Sequence, residues 1–412
     1  MAGPLTNIRV LDLSRILAGP WASQTLADLG ADVIKVERPG SGDDTRAWGP
    51  PFVDGPDGEP GDAAYFLSTN RGKRSITIDM AVPEGQDLIR QLAQKSDVVI
   101  ENFKVGGLKK YGLDYDSLKT DHAGIIYCSI TGFGQDGPYA ARAGYDFMIQ
   151  GMGGIMSITG QPDGAPGAEP MKSGMAFADI FTGLYSVIGI LGALQHRDKT
   201  GQGQHIDMAL LDAQVAVLGN QALNYLVGGT VPTRLGNAHP NIVPYQTFAT
   251  GDGHIIIAIG NDRQFRTFCA LAGVPELGKD ERFMDNRSRV NNRDVLVPLL
   301  VQAVKMKTTA EWIDILEEEA VPCGPINSID QVFADPQVVA RGLQLSMQRA
   351  DGTQTPGVAN PIRYSQTPID YTRPVPALGS STDEVLGQVL GLDAAQITAL
   401  QSSGVVGPSN QS

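Results

Sequence analysis

Short, uninterrupted apolar runs alternate with longer amphipathic ones through the first part of the chain. Residues 8–14 form a β-branched run that reads as a buried strand. Pro20 stands near the first turn of the helix that follows, and Gly30 suits the position just past its end. A second strand comes at once, at 31–37. Such a unit makes two parallel strands joined by a right-handed crossover. Further strands are read at 65–67, 76–79, 97–101 and 125–130, with a helix near 84–95. The pattern predicts an α/β domain, Rossmann-like, on a parallel sheet. The first loop lacks the G-x-G-x-x-G fingerprint, which argues against a nicotinamide cofactor.

The pattern then changes. Residues 172–214 are rich in small and apolar side chains, with a helix from about 181 to 194. Another helix is read from 207 to about 228, and a Gly/Pro/Asn passage after it reads as linker and exposed loop. Strands at 245–249 and 254–259 flank Asp252-Gly253, a hairpin signal. Helices follow near 262–273, 292–304 and 309–319, then a strand pair around 343–363, a helical patch at 382–403 and a polar tail. The domains predicted are 1–215, completed by about 340–412; a linker and lid loop at 216–244; a smaller α+β domain at 245–330; and a return segment, 331–412.

Composition narrows the class. At 412 residues the chain exceeds one ordinary core. Its 42% hydrophobic and 19% charged residues fit a globular enzyme. The apolar helix at 181–194 is too short for a membrane span, so no membrane partner is expected. A net charge of −13 argues against nucleic acid, yet a local cluster of cations still admits an anionic ligand. Three scattered cysteines suit a reducing cytoplasm, and no His or Cys stands at metal-ligand spacing, so no metal is expected.

Asp179 is the only acid between Glu169 and Asp198. A carboxylate at a helix start is either a cap or a reagent, and the residues alone leave both open. The loop 70–75, NRGKRS, is either a solvated turn or a phosphate contact. The passage 236–240, GNAHP, is either a linker turn or a lid.

Several strings together resemble one family: VLDLSRILAGPWASQTLADLGADVIKVERPGSGDDTR, NRGKRSITIDM, VVIENF, SITGFGQDGP, GYDFMIQGMGG and ADIFTGLYSVIGILGALQHRDKTGQGQHID. They are similar, in order and spacing, to the class III CoA-transferases, the CaiB/BaiF family. GDDTRAWGPPFV, AHPNIVPYQTF, VPCGPINSIDQVFADPQV and NPIRYSQ resemble its succinyl-CoA:dicarboxylate members of the glutarate and hydroxymethylglutarate type.

The resemblance implies an interlocked homodimer that uses acyl-CoA and a free carboxylate as substrates. It places the catalytic aspartate on Asp179, and CoA contacts on Ile16, Ala18, Arg38, Asn102, Phe103, Lys110 and Arg142. Arg71, Lys73 and Arg74 are further candidates for the CoA phosphates. Arg46 and Arg142 are candidates for a distal carboxylate, and Tyr145, Gly236, Asn237 and His239 for the substrate site or lid. Two departures bear on function. Formyl-CoA transferases have glutamine where this chain has Leu17, and α-methylacyl-CoA racemases have a catalytic histidine where it has Tyr145. A racemase and a non-catalytic acyl-CoA-binding protein stand as the alternatives.

Overall fold

The computed structural model describes residues 3–55 and 58–408. The polar tail past 408 lies outside them. Two compact units are present: residues 1–154, 173–222 and 336–412 form the first, and 155–172 with 223–335 the second. Residues 155–172, expected in the large domain, and 223–244, expected as linker, thus both group with the second unit.

The first unit is built on six parallel strands: β1 (Arg9–Asp12), β2 (Asp32–Glu37), β3 (Arg74–Thr77), β4 (Val98–Glu101), β5 (Ile126–Thr131) and β6 (His205–Ala209). Their order is β3-β2-β1-β4-β5-β6. A parallel sheet covered on both faces needs continuous apolar strands, and RVLD, VVIE and IYCSIT supply them. On one face, helix α1 (Ala18–Asp28) packs with the long helix Phe177–Thr200 around Ala22, Leu26, Val33 and Ile190. On the other, helices Pro83–Gln94 and Thr382–Leu390 close over Ile34, Ile76, Leu88 and Leu386. Each fully buried Leu, Ile or Val adds about 1.5–3 kcal/mol. The C-terminal segment protects the β3 edge: Ser381 N–H donates to the Ser75 carbonyl at 2.9 Å, and Asp79 N–H to that of Val405 at 2.8 Å.

Three expectations need correction. Ala64–Leu67 is one turn of helix, not a strand. The segment from 207 opens as β6, and helix begins only at Leu210 and breaks after Ala216. As an edge strand β6 buries little of its length, so its pattern is weak. The apolar helix runs 24 residues, Phe177–Thr200, and is long and apolar enough to cross a bilayer. In this fold it is a core helix, with Ala178, Thr182, Ser186 and Ile190 buried along one face. Thr182 and Ser186 return their hydroxyls to the carbonyls of Ala178 (2.7 Å) and Thr182 (2.8 Å), so burial leaves neither unsatisfied.

The second unit holds the expected hairpin, Tyr245–Ala249 with His254–Ala258, and gains a third antiparallel strand, Cys323–Pro325. Helices Asp262–Leu271, Arg293–Val304 and Thr309–Glu318 pack over it on Phe265, Phe268, Leu300 and Trp312.

Candidate active site

The C-terminal ends of β1, β4 and β5 open onto two clefts in the first unit, of about 280 and 200 Å³, which share Arg15 and Phe103 as a common wall. Asp179 lines the larger, together with Ile16, Ala18, Asn102, Arg142 and Tyr145. Arg38 lines the smaller, and Lys110 lies 4.4 Å over the ring of Tyr111, another of its walls.

Asp179 is the third residue of its helix and does not cap it. Asp146 does, from a separate element: its Oδ1 accepts the N–H groups of Ala178 at 2.8 Å and of Asp179 at 3.2 Å. Gln150, fully buried, donates to Asp146 Oδ2 at 2.7 Å and accepts from Ser173 N–H at 2.8 Å, which holds that cap in place. Burial, and then the charge of Asp146, push the Asp179 carboxyl up to about 7. Burial first, then Asp179, Asp146 and Asp43, push the Tyr65 phenol up to about 12, so it stays protonated and able to donate. Its ring meets Trp48 edge-on at 5.3 Å.

Gly183, one turn beyond Asp179, brings this helix against the start of α1: a Cβ there would lie 2.8 Å from the Ala18 carbonyl. The α1 N-terminus therefore faces the cleft with no side-chain cap. Just before it, Ile16 has φ 75°, costly for a β-branched residue. Asn102 holds that turn, its Oδ1 accepting from Arg15 N–H at 2.9 Å and its Nδ2 donating to the Arg15 carbonyl at 2.6 Å. The Asn102 amide is thus spent on backbone, which makes it a support of the cleft wall.

Other expected ligands are internal ion pairs. Arg46, 8% exposed, bonds Glu37 at 2.7 Å and Asp62 at 2.8 Å and covers the Phe66 ring, so it is not available to a substrate carboxylate. Arg71 pairs with Asp28, Lys73 with Asp12, and Arg74 with Asp32 and Glu384. The loop 70–75 is neither a solvated turn nor a phosphate contact, because α1 and the sheet bury it. Arg142 remains exposed, its guanidinium 4.6 Å over the Tyr139 ring. Gly236, Asn237 and His239 belong to the second unit. There Asn237 donates to Thr247 Oγ1 at 2.9 Å, His239 N–H to the Tyr245 carbonyl at 2.9 Å, and Arg293 to the His239 carbonyl at 3.1 Å. Among the described residues no His, Cys, Asp or Glu cluster is placed to hold a metal ion.

Asp146, Gln150, Tyr65 and Trp48 did not stand out in the sequence. The GYD string carries Asp146, but nothing local shows that it caps a helix 30 residues on.

Comparison with known proteins adds independent findings. The sequence model of a family described as CoA-transferase family III matches residues 5–382. Succinate–glutarate CoA-transferase of Agrobacterium fabrum is 57% identical over 94% of this chain and 96% of its own. Human succinyl-CoA:glutarate CoA-transferase is 44% identical over 98% of this chain and 90% of its own. A CAIB/BAIF family protein from Brucella suis, solved by crystallography, superposes with a TM-score of 0.83 at 55% identity, covering 94% of this chain and 100% of that one.

Proposed function

Since this chain belongs to CoA-transferase family III, we propose that it moves coenzyme A from succinyl-CoA to a free dicarboxylate, with Asp179 as the covalent carrier. The observation that carries the reading is the setting of Asp179: a carboxylate on a cleft wall, next to an uncapped helix start and without a cation partner among the described residues.

A carboxylate solvated by water is a poor nucleophile; one that is partly desolvated and pushed up in basicity is a better one. Asp179 attacks the thioester carbonyl, the C–S bond breaks, and a mixed anhydride and CoA thiolate result. The thiolate attacks the aspartyl carbonyl and expels the donor's carboxylate, leaving an enzyme-CoA thioester. The acceptor carboxylate then attacks that thioester, forming a second anhydride and freeing the thiolate. Attack of the thiolate on the acceptor's acyl carbon releases the new acyl-CoA and restores Asp179. The α1 N–H groups offer the tetrahedral oxyanions a fixed dipole. A thiolate leaves without a general acid.

Arg38 and Lys110, exposed beside the smaller cleft, meet the CoA phosphates, and Arg142 meets the distal carboxylate. A homodimer belongs to this reading. It is supported by the apolar outer face of the Phe177–Thr200 helix, where Leu184, Tyr185, Ile188 and Leu191 are exposed. A reducing compartment is supported by Cys128, Cys269 and Cys323, none of them in a disulfide. The test is a panel of free mono- and dicarboxylic acids incubated with succinyl-CoA and read by mass spectrometry. Dicarboxyl-CoA products that vanish in Asp179→Ala support the reading. Exchange of an α-proton with solvent without CoA transfer would favour a racemase instead.

A further inference from the structure

Glu101 ends β4 immediately before the two residues that wall the clefts, and the transfer chemistry gives it no part. It is 6% exposed and no cation faces it among the described residues. Its Oε2 accepts the Phe103 N–H at 2.8 Å. Across the sheet it stands in register with Ser129, whose hydroxyl lies near the carboxyl and works against the effect of burial on it. That hydroxyl also meets His205 Nε2 at 2.9 Å. His205 lies on the exposed edge strand, its ring stacked on Tyr115 at 5.2 Å.

We propose that Glu101 is a positioning residue, backed by Ser129 and His205, that fixes the backbone of Phe103 and so the wall shared by the two clefts. The role rests on the assignment of those clefts to acyl-CoA.

Counting donors and acceptors shows which form holds best. With Glu101 neutral, its O–H can donate to Ser129, Ser129 to His205 Nε2, and the other Glu101 oxygen accepts from Phe103, so each link between these groups has one donor and one acceptor. When Glu101 ionises, Ser129 must turn its hydroxyl to the carboxylate. His205 then has to present a proton on Nε2 or lose the bond. Burial pushes the Glu101 carboxyl up to about 7, so that change falls in the neutral range. The groups facing the relay are Tyr127 and Cys128 on β5, Asp207 on β6, and Asp114, Asp116 and Lys119 around the Tyr115–Asp121 helix. Only one of these is a cation.

The test compares the whole protein with Glu101→Gln and Glu101→Ala. KM for succinyl-CoA and kcat are followed between pH 6 and 8.5, and amide exchange protection at Phe103 is read without ligand. Glutamine reproduces the neutral donor–acceptor pattern. The wild-type KM should rise severalfold with pH, while Glu101→Gln holds the low-pH value throughout and keeps kcat. Glu101→Ala should raise KM about tenfold at every pH and lose protection at Phe103. If Glu101→Ala does not fold, Ser129→Ala, which leaves no charge behind, is read the same way. A Glu101→Gln protein as impaired as the alanine variant at pH 6, or unchanged Phe103 protection in Glu101→Ala or Ser129→Ala, overturns the proposal. Lost Phe103 protection in a protein that binds no acyl-CoA at any pH would uphold the relay and overturn the cleft assignment.

Discussion

The carboxylate of Asp146 takes the backbone N–H of Asp179 at 3.2 Å, so one acid caps the helix on which the other is presented. Capping and chemistry, which a single acid at a helix start would have to combine, are divided between two residues. Burial first, and then the neighbouring Asp146 carboxylate, make Asp179 a stronger base.

Replacing Asp146 with asparagine keeps an oxygen for the cap and removes the charge. Asp179 should then ionise at lower pH. Because transfer needs the ionised form, the wild-type rate should climb through pH 7 to a plateau, and in Asp146→Asn that climb should move to lower pH. Pre-steady-state pH profiles of the first transfer check this, and an unmoved profile contradicts it.

Asp179→Asn should abolish transfer and stabilise the fold. A carboxyl whose folded value is raised from 3.8 to about 7 destabilises the native state as pH rises through that window. Allowing for solvent in the cleft, the variant should gain on the order of 1–2 kcal/mol at pH 8 and nothing below about pH 4. Urea denaturation at both pH values measures it.

Arg46→Ala should act on stability and not on acceptor choice. It leaves the buried Glu37 without its ion-pair partner, while Asp62 keeps Arg349, for a loss of about 3–5 kcal/mol. Denaturation midpoints read the loss. The ratio of succinate to monocarboxylate turnover should not change in whatever protein folds.

Arg142→Gln should lower kcat/KM for a dicarboxylate acceptor about tenfold or more and leave a monocarboxylate nearly unaffected. Paired acceptor kinetics decide it; equal losses would assign Arg142 to CoA.

Much of the fold was legible because its strands carry their own pattern: the runs around Val10, Ile34, Ile100 and Ile126 are apolar whichever face they turn. The hairpin at Asp252-Gly253 was legible for its turn chemistry. His205–Ala209 was not, since an edge strand buries too little to show a period. The site divided in the same way. Asp179 stood out as a lone acid in an apolar stretch. Arg46, Arg71, Lys73 and Arg74 misled because sequence shows a cation and not its partner, and those partners, Glu37, Asp28, Asp12 and Asp32, come from other elements. Asp146 was hidden for the same reason.

The covalent step is tested most directly by acid-quenching the protein during turnover of succinyl-CoA and mapping its peptides by mass spectrometry, with and without borohydride. A CoA thioester on Asp179, converted by borohydride to the homoserine side chain, is the predicted result. A protein that turns over fully while the peptide bearing Asp179 never carries CoA or an acyl group would contradict the account.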